Sequence, residues 1–326
     1  MFISLKNSTK NSFGILRIYG SKSESNRLLI LQTLFPGIEI KNISDSEDTK
    51  ILFNALSSES NKIDVNHAGT AMRFLTALFS SIPGRSIILT GSNRMQQRPI
   101  KILVDALNSL GANINYVNKN GFPPIKIIGR ELRERKVFLE ADVSSQYISA
   151  LMLIAPSLKN GLEINLKKKI VSKPYVEMTK DLLNYFGVKI LQTKNKIEIK
   201  PLATIENKIR QVESDWSSAS YYFSIASLSE EAKISLKRFK PKSLQGDSIL
   251  VSIYKKLGVE TDFIKDEMII SKVPDFVLPK SISLNLNNSP DIAQTIAVSC
   301  FGLGVNCELS GLKTLKIKET DRLIAL

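Results

Sequence analysis

Cations next to hydroxyls recur in this sequence at the openings of apolar stretches, and carboxylates recur beside a proline or another cation. The stretch Gly20-Ser21-Lys22-Ser23-Glu24-Ser25-Asn26-Arg27 runs into Leu28-Leu29-Ile30-Leu31. Ser23 or Ser25 can cap orphan backbone N–H groups, and the positive end of a helix dipole adds to Lys22 and Arg27. Phosphate or carboxylate is therefore the natural guest. The same residue types also make a plain helix cap with a solvated face, so this stretch gains weight only in company.

Company is present. In Asn66-His67-Ala68-Gly69-Thr70-Ala71-Met72-Arg73 a glycine lets backbone approach a ligand, and the N–H groups of residues 69–71 would point at an anion. Arg73, one turn further, is expected to be a structural ion-pair member. Arg94 and Arg98 stand four apart before Pro99, either as a bidentate clamp for carboxylate or phosphate or as two solvated loop arginines. Asp142-Val143-Ser144-Ser145-Gln146-Tyr147 puts consecutive hydroxyls at a helix opening, where they cap the helix and also suit phosphate. Ser172-Lys173-Pro174-Tyr175 is a weaker version. Asp215-Trp216-Ser217-Ser218 echoes the double serine, with Trp216 and Tyr221 expected in the core. Asp291 beside Pro290 is where a capping carboxylate belongs, while Lys318, Glu319 and Arg322 combine base, acid and cation within one turn.

Composition narrows the chemistry. A net charge of +14 calls for anionic partners: nucleic acid, a membrane surface or phosphorylated metabolites. Exposed aromatics interleaved with lysines, as single-stranded nucleic acid would want, are not arranged in the sequence. Cys300 and Cys307 are the only cysteines and His67 the only histidine, which removes disulfide frameworks, histidine-rich zinc sites and a Ser-His-Asp triad. The N-terminal residues lack a signal-peptide apolar core, and the longest apolar runs are too short to span a bilayer. A soluble, cytoplasmic protein with reduced thiols is expected.

The elements that must position these residues show a repeat. Leu103 to Gly111 recurs as Lys180 to Gly187 and as Val251 to Gly258, each an amphipathic helix closed by a glycine that can take the left-handed conformation. A strand pair is expected after each: 112–116 with 124–129, 188–192 with 196–200, and 259–263 with 267–271. The closing glycines lie 76 and 71 residues apart, a period too long for common solenoids and suited to a compact unit of two helices and several strands. Further helices are expected over 26–35, 49–57, 70–79, 145–158, 217–228 and 290–301. Lys318 to Leu326 reads as the start of another such helix whose glycine would fall past residue 326, so the last unit is expected to be incomplete.

Eight of these motifs, in order over essentially the whole chain, resemble those of the 5-enolpyruvylshikimate-3-phosphate synthases: Gly-Ser-Lys-Ser-Glu-Ser-Asn-Arg, Asn-His-Ala-Gly-Thr-Ala-Met-Arg, Arg-Met-Gln-Gln-Arg-Pro-Ile, Val-Ser-Ser-Gln-Tyr, Ser-Lys-Pro-Tyr, Asp-Trp-Ser-Ser-Ala-Ser-Tyr, Ser-Pro-Asp and Lys-Glu-Thr-Asp-Arg. The resemblance implies an α/β (α+β) two-domain enolpyruvyl transferase fold of repeated βαβαββ units, an inverse α/β barrel. One domain of three units would run over 21–213, and the second would join 1–20 to 214–326, with the active site in a cleft that closes on substrate.

It also implies roles. Lys22 would touch both substrates. Ser23, Arg27, Ser144, Ser145, Gln146 and Ser172 would hold shikimate 3-phosphate, with Gln146 also reaching phosphoenolpyruvate and Tyr175 a neighbour. Gly69, Arg98 and Arg322 would bind phosphoenolpyruvate, with Arg94 lining its pocket. Asp291 would accept the proton of the shikimate 5-hydroxyl, Lys318 would assist at that ring, and Glu319 would shuttle a proton at the phosphoenolpyruvate methylene. No metal or organic cofactor is implied. The partners would be the two small anions, not nucleic acid or a membrane, and the protein would be a monomer.

Departures from the family pattern are the absence of its distal Asn-Asp-His-Arg motif and later lysine, Thr314 in place of a phosphate-binding asparagine, and Phe74 in place of a proline. With those phosphoenolpyruvate ligands missing, residues 1–326 are expected to bind shikimate 3-phosphate weakly and turn over little. The alternatives are the sister transferase acting on UDP-N-acetylglucosamine, which uses a cysteine where Asn93 stands, and a non-catalytic basic anion-binding protein.

Overall fold

The structure is a computed structural model describing residues 10–140, 144–168 and 170–326. Asp142 and Val143 of the double-serine motif, and nearly all of the N-terminal stretch read above, lie outside the described residues. Strand β1 (Asn11–Arg17) is followed by α1 (Lys22–Leu34), β2 (Ile38–Lys41) and α2 (Glu47–Ser57). Next come β3 (Lys62–Asp64), α3 (Gly69–Ser81), β4 (Ser86–Thr90), α4 (Lys101–Ser109) and the hairpin β5 (Asn113–Tyr116) with β6 (Ile125–Ile128). The pattern then repeats as β7 (Lys136–Glu140), α5 (Ser145–Ile154), β8 (Leu162–Lys167), α6 (Lys173–Tyr185), β9 (Ile190–Gln192) and β10 (Lys196–Ile199). Strand β11 (Lys208–Gln211) precedes α7 (Trp216–Leu228), β12 (Glu231–Lys237), α8 (Leu250–Lys255), β13 (Val259–Ile264) and β14 (Glu267–Lys272). The chain continues through β15 (Ser281–Asn285), α9 (Ala293–Leu303), β16 (Asn306–Ser310) and the single turn α10 (Arg322–Ala325).

The three four-stranded sheets share one strand order: β3-β4-β6-β5, β7-β8-β10-β9 and β1-β12-β14-β13. In each, the first two strands are parallel and the last two form an antiparallel hairpin laid back against the second. A parallel pair needs a crossover: α3 supplies it for β3–β4 and α5 for β7–β8, whereas between β1 and β12 the chain first builds the 20–212 unit and then returns through α7. The sheets are half buried, as their alternation requires: Leu162, Ile164 and Leu166 of β8 are buried, while Glu163 and Asn165 between them are not. By contrast, α3 and α5 are buried nearly all round, with every residue from Tyr147 to Ile154 below 5% exposed. A helix apolar on all faces belongs inside, between other helices and a sheet.

Two compact units result. One gathers Gly20–Val212 and Thr314–Asp321; the other gathers the described part of Met1–Tyr19, Glu213–Lys313 and Arg322–Leu326. In the first, β2 and β11 form a parallel two-stranded sheet whose partners are far apart in sequence, and in the second β1 pairs with β12 in the same way. β15 and β16 make a further parallel pair bridged by α9.

The structure moves several boundaries. Helix α1 begins at Lys22 rather than Asn26, and its cap is Ser21, whose hydroxyl accepts from the Glu24 N–H at 3.4 Å; neither Ser23 nor Ser25 caps it. Helix α5 ends at Ile154, where Pro156 turns the chain into a short 3₁₀ segment. Helix α9 starts at Ala293 because 290–292 form a 3₁₀ turn. Residues 318–321 are not helical, so the last helix opens at Arg322 rather than Lys318. Tyr221, expected in the core, is 58% exposed because it lies off the stripe made by Trp216, Ala219, Phe223 and Ala226, whereas Trp216 is buried edge-on against Phe239 at 5.1 Å. Among the described residues no helix is long and apolar enough to cross a membrane.

Candidate functional site

In the first unit the opening turns of α1, α3, α5 and α6 are tied together by named side chains. Arg27, one turn into α1, is 2% exposed. It donates from Nε to Thr179 Oγ1 at 2.7 Å, from Nη1 to the Ser23 carbonyl at 2.7 Å, and from Nη2 to Ser149 Oγ and the Tyr175 carbonyl, both at 3.1 Å. Phe74 and Tyr175 rings flank its guanidinium. Burial lowers its pKa to about 10, with the Tyr175 and Glu24 oxygens opposing the shift, so it stays charged at neutral pH. Arg27 thus holds α5 and α6 to α1 from within.

Helix α3 opens at Gly69 with no side-chain cap, because Ala68 has none to offer. A Cβ on Gly69 would meet the Arg98 guanidinium, with Nη1 at 2.6 Å and Nη2 at 2.7 Å. Arg98 therefore lies across the helix opening in the space that a side chain would fill. It is 7% exposed, its Nη1 reaches Glu319 Oε1 at 3.4 Å, and among the described residues its Nε has no hydrogen-bond partner. Arg98 is thus a buried guanidinium at a helix opening that keeps an N–H to spare after its contacts within the fold.

The loop that carries Arg98 is braced from below. Arg73 donates to the Gly69 carbonyl at 3.3 Å, to Met95 Sδ at 3.3 Å and to the Pro99 carbonyl at 3.1 Å, while the Tyr147 hydroxyl donates to the same Pro99 carbonyl at 2.6 Å. Burial, and secondarily the charge of Arg98, bring the Arg73 pKa down to about 10. The ion-pair role expected for Arg73 is corrected: among the described residues its direct partners are two carbonyls, a thioether and the Tyr147 hydroxyl, none of them a carboxylate.

Around these two arginines stand the remaining candidates of the first unit. Ser144 caps α5, its hydroxyl accepting from the Gln146 N–H at 3.3 Å, and the Gln146 amide donates to Thr70 Oγ1 at 3.3 Å, which links α5 to the α3 opening. Ser145 is buried beside them. Ser172 enters α6 in the left-handed conformation, φ +52°, with no side-chain cap bond. Lys22 and Ser23 sit half exposed on the first turn of α1, with the Lys22 ammonium 3.5 Å from Asp48 Oδ2. Arg94, by Nε and Nη2, holds the Lys318 and Lys316 carbonyls at 3.2 Å, so the 316–319 segment bearing Lys318 and Glu319 is fixed beside the arginine loop.

The second unit holds the other two candidates. Asp291, in the 3₁₀ turn before α9, accepts from Arg322 Nη1 at 3.0 Å. Its turn is braced by Ser289, whose hydroxyl donates to the Gly246 carbonyl at 2.9 Å. Asp291 is therefore an ion-paired carboxylate rather than a simple cap.

The EPSP synthase family, 3-phosphoshikimate 1-carboxyvinyltransferase, matches over residues 53–326. A Bacteroides fragilis protein named 3-phosphoshikimate 1-carboxyvinyltransferase is 45% identical over 312 residues, covering 95% of this chain and 75% of its own length. The chain belongs to the EPSP synthase family. A relative of the same name from Buchnera aphidicola subsp. Cinara cedri is 36% identical over 343 residues, covering 96% of this chain and 77% of its own. Among solved structures, an EPSP synthase from Acinetobacter baumannii superposes with a TM-score of 0.73 at 20% identity, covering 96% of this chain and 76% of that one. At that identity the likeness speaks to the shared α/β fold of EPSP synthases alone.

Asp48 and Arg73 are the site neighbours that motif reading missed. Asp48 is signalled only by its place in the acidic opening of α2, and Arg73 was visible but assigned the wrong partners.

Proposed function

We propose that this chain transfers the enolpyruvyl group of phosphoenolpyruvate to the 5-hydroxyl of shikimate 3-phosphate and releases phosphate, the reaction that leads to chorismate and the aromatic amino acids. The observation that carries the reading at this site is Arg98: a buried guanidinium laid over Gly69 with Nε unspent. Such a group suits the carboxylate or phosphate of phosphoenolpyruvate. Two anions must be brought together against their repulsion, and Lys22, Arg98 and the helix openings at Gly69 and Ser145 supply the opposing charge and dipole.

In this reading Ser23, Ser144, Ser145, Gln146 and Ser172 take shikimate 3-phosphate, with Lys318 at its ring. Arg27 is engaged through Nε and Nη2 inside the protein, so it offers the substrate at most its remaining Nη1 hydrogen. Asp291 takes the proton of the 5-hydroxyl as that oxygen adds to C2, and C3 gains a proton in the same step. The tetrahedral intermediate then loses a C3 proton and phosphate, with Glu319 as the proton carrier and Lys22 as the cation on the departing group. Arg322, paired with Asp291, orients that carboxylate and adds charge for phosphoenolpyruvate. The reading needs no cofactor, and the small anions rather than nucleic acid or a membrane are its partners, acting on a monomer.

Phosphate release tests it. The chain should free phosphate slowly and only when both substrates are present, and shikimate 3-phosphate at high concentration, not an oligonucleotide, should protect it against thermal unfolding. Absence of both effects would overturn the reading.

A further inference from the structure

Lys22 is a half-exposed ammonium on a flexible stem, and the role proposed for it above, touching both substrates, requires it to be held in place. What holds it is a seam between α1 and the turn that opens α2. Ser25, fully buried on α1, accepts the Ser44 N–H at 2.9 Å. Asn26, the next residue and also fully buried, accepts from the Thr49 hydroxyl at 2.8 Å. The Ser44 hydroxyl donates to Ser46 Oγ, and Ser46 in turn contacts Thr49 Oγ1 at 3.0 Å and caps α2. Neutral, buried hydrogen bonds thus fix the 44–49 turn against the first turns of α1.

On that fixed turn stand three acids. Asp45 is answered by Lys50, four-tenths or more exposed on both sides, and Glu47 by His67 in a similarly open pair. Asp48 is the least exposed of the three, at 15%, and it faces Lys22 Nζ at 3.5 Å. Helix α2 does not need Asp48 as a cap, since Ser46 already accepts the Thr49 N–H. An ion pair this open adds roughly 0–1 kcal/mol to stability, so the buried seam beneath it is out of proportion to that gain. Its evident product is position: a carboxylate presented to one ammonium.

We infer that Asp48 is a positioning residue that acts through Lys22, restraining the ammonium for the transfer reaction. This rests on the function proposed above for Lys22. Misplacing a reacting group by about an ångström costs on the order of 100-fold, so Asp48→Asn should lower kcat by about 10- to 100-fold while changing KM far less. In a Lys22→Ala background the same substitution should change turnover by less than about twofold, because coupled residues are not additive. Asp48→Glu, which keeps the charge, should recover part of the loss. A simple structural role predicts instead a lowered melting temperature with unchanged kcat per folded molecule.

Equal losses from Asp48→Asn in both backgrounds, or no loss with Lys22 present, would overturn the inference. Should Asp48→Asn fail to fold, Asp48→Glu carries the same cycle. The 15Nζ resonance of Lys22, assigned by Lys22→Arg, gives a readout independent of activity. It should move and sharpen toward that of a free lysine in Asp48→Asn, and an unmoved resonance would overturn the inference. If the parent releases no phosphate, the functional reading fails, whereas the resonance still decides whether Asp48 restrains Lys22.

Discussion

Arg27 and Arg98 are both buried cations set near helix openings, and they have opposite uses. Arg27 gives Nε and Nη2 to three acceptors on α5 and α6 and an Nη1 hydrogen to its own helix. Among the described residues Arg98 has one long contact, to Glu319, and an Nε with no partner. Burial alone therefore does not tell an arginine used up by the fold from one with donors to spare. What tells them apart is donor capacity left over after the fold has taken its share.

The comparison can be broken by substitution. Arg98→Ala should cut kcat/KM for phosphoenolpyruvate by about 10³-fold, with stability to urea within about 1 kcal/mol of the parent. Arg27→Met should do the reverse in kind. Removing the buried donor that ties α1 to Thr179, Ser149 and the Tyr175 carbonyl should cost about 2–3 kcal/mol of unfolding free energy, read from the urea midpoint, even though the Thr179 hydroxyl still donates within that cluster. If Arg98→Ala destabilises as strongly as Arg27→Met, the distinction between spent and unspent donors fails.

Gly69→Ala sharpens the Arg98 half. Its Cβ would fall within 2.6–2.9 Å of the guanidinium, and since Arg98 is walled in, the side chain must move. We expect about a tenfold rise in KM for phosphoenolpyruvate, which is about 1.4 kcal/mol, and a smaller change in kcat; an unchanged KM would show that the arginine shifts freely. Tyr147→Phe removes the hydroxyl on the Pro99 carbonyl and should cost about 1 kcal/mol. The Arg98 loop should keep most of its affinity, because Arg73 still holds that carbonyl. Least in energy is a labelling test of burial. Iodoacetamide should modify exposed Cys307 in the native protein and reach Cys300 only after unfolding, since Cys300 is buried and burial pushes its thiol pKa up to about 12.

A good part of the fold was legible beforehand. The three helix–glycine–hairpin copies are seen as β5–β6, β9–β10 and β13–β14, because amphipathic spacing and a left-handed closing glycine are local properties. Gly111, Gly187 and Gly258 all have φ between +78° and +101°. The α1 opening was read less well: its cap is Ser21 rather than Ser23 or Ser25, because the helix starts four residues before its apolar run would suggest. Tyr221 could have been placed by counting residues along the α7 stripe.

Other features had no local signal. The pairing of β1 with β12 and of β2 with β11 joins strands separated by most of a unit, and short apolar strands carry no mark of which distant partner they take.

From the residues alone follow the repeat, the kinds of group at each helix opening, and hence that the guest is an anion, because caps, periodicity and charge are written locally; which anion came from the resemblance of the ordered motifs to one family. Which arginine keeps a donor to spare was decided only by the folded chain. The acceptors that occupy Arg27 and Arg73 include the carbonyls of Tyr175 and Pro99. Every residue has such a carbonyl, so only three-dimensional placement can say which donors it consumes.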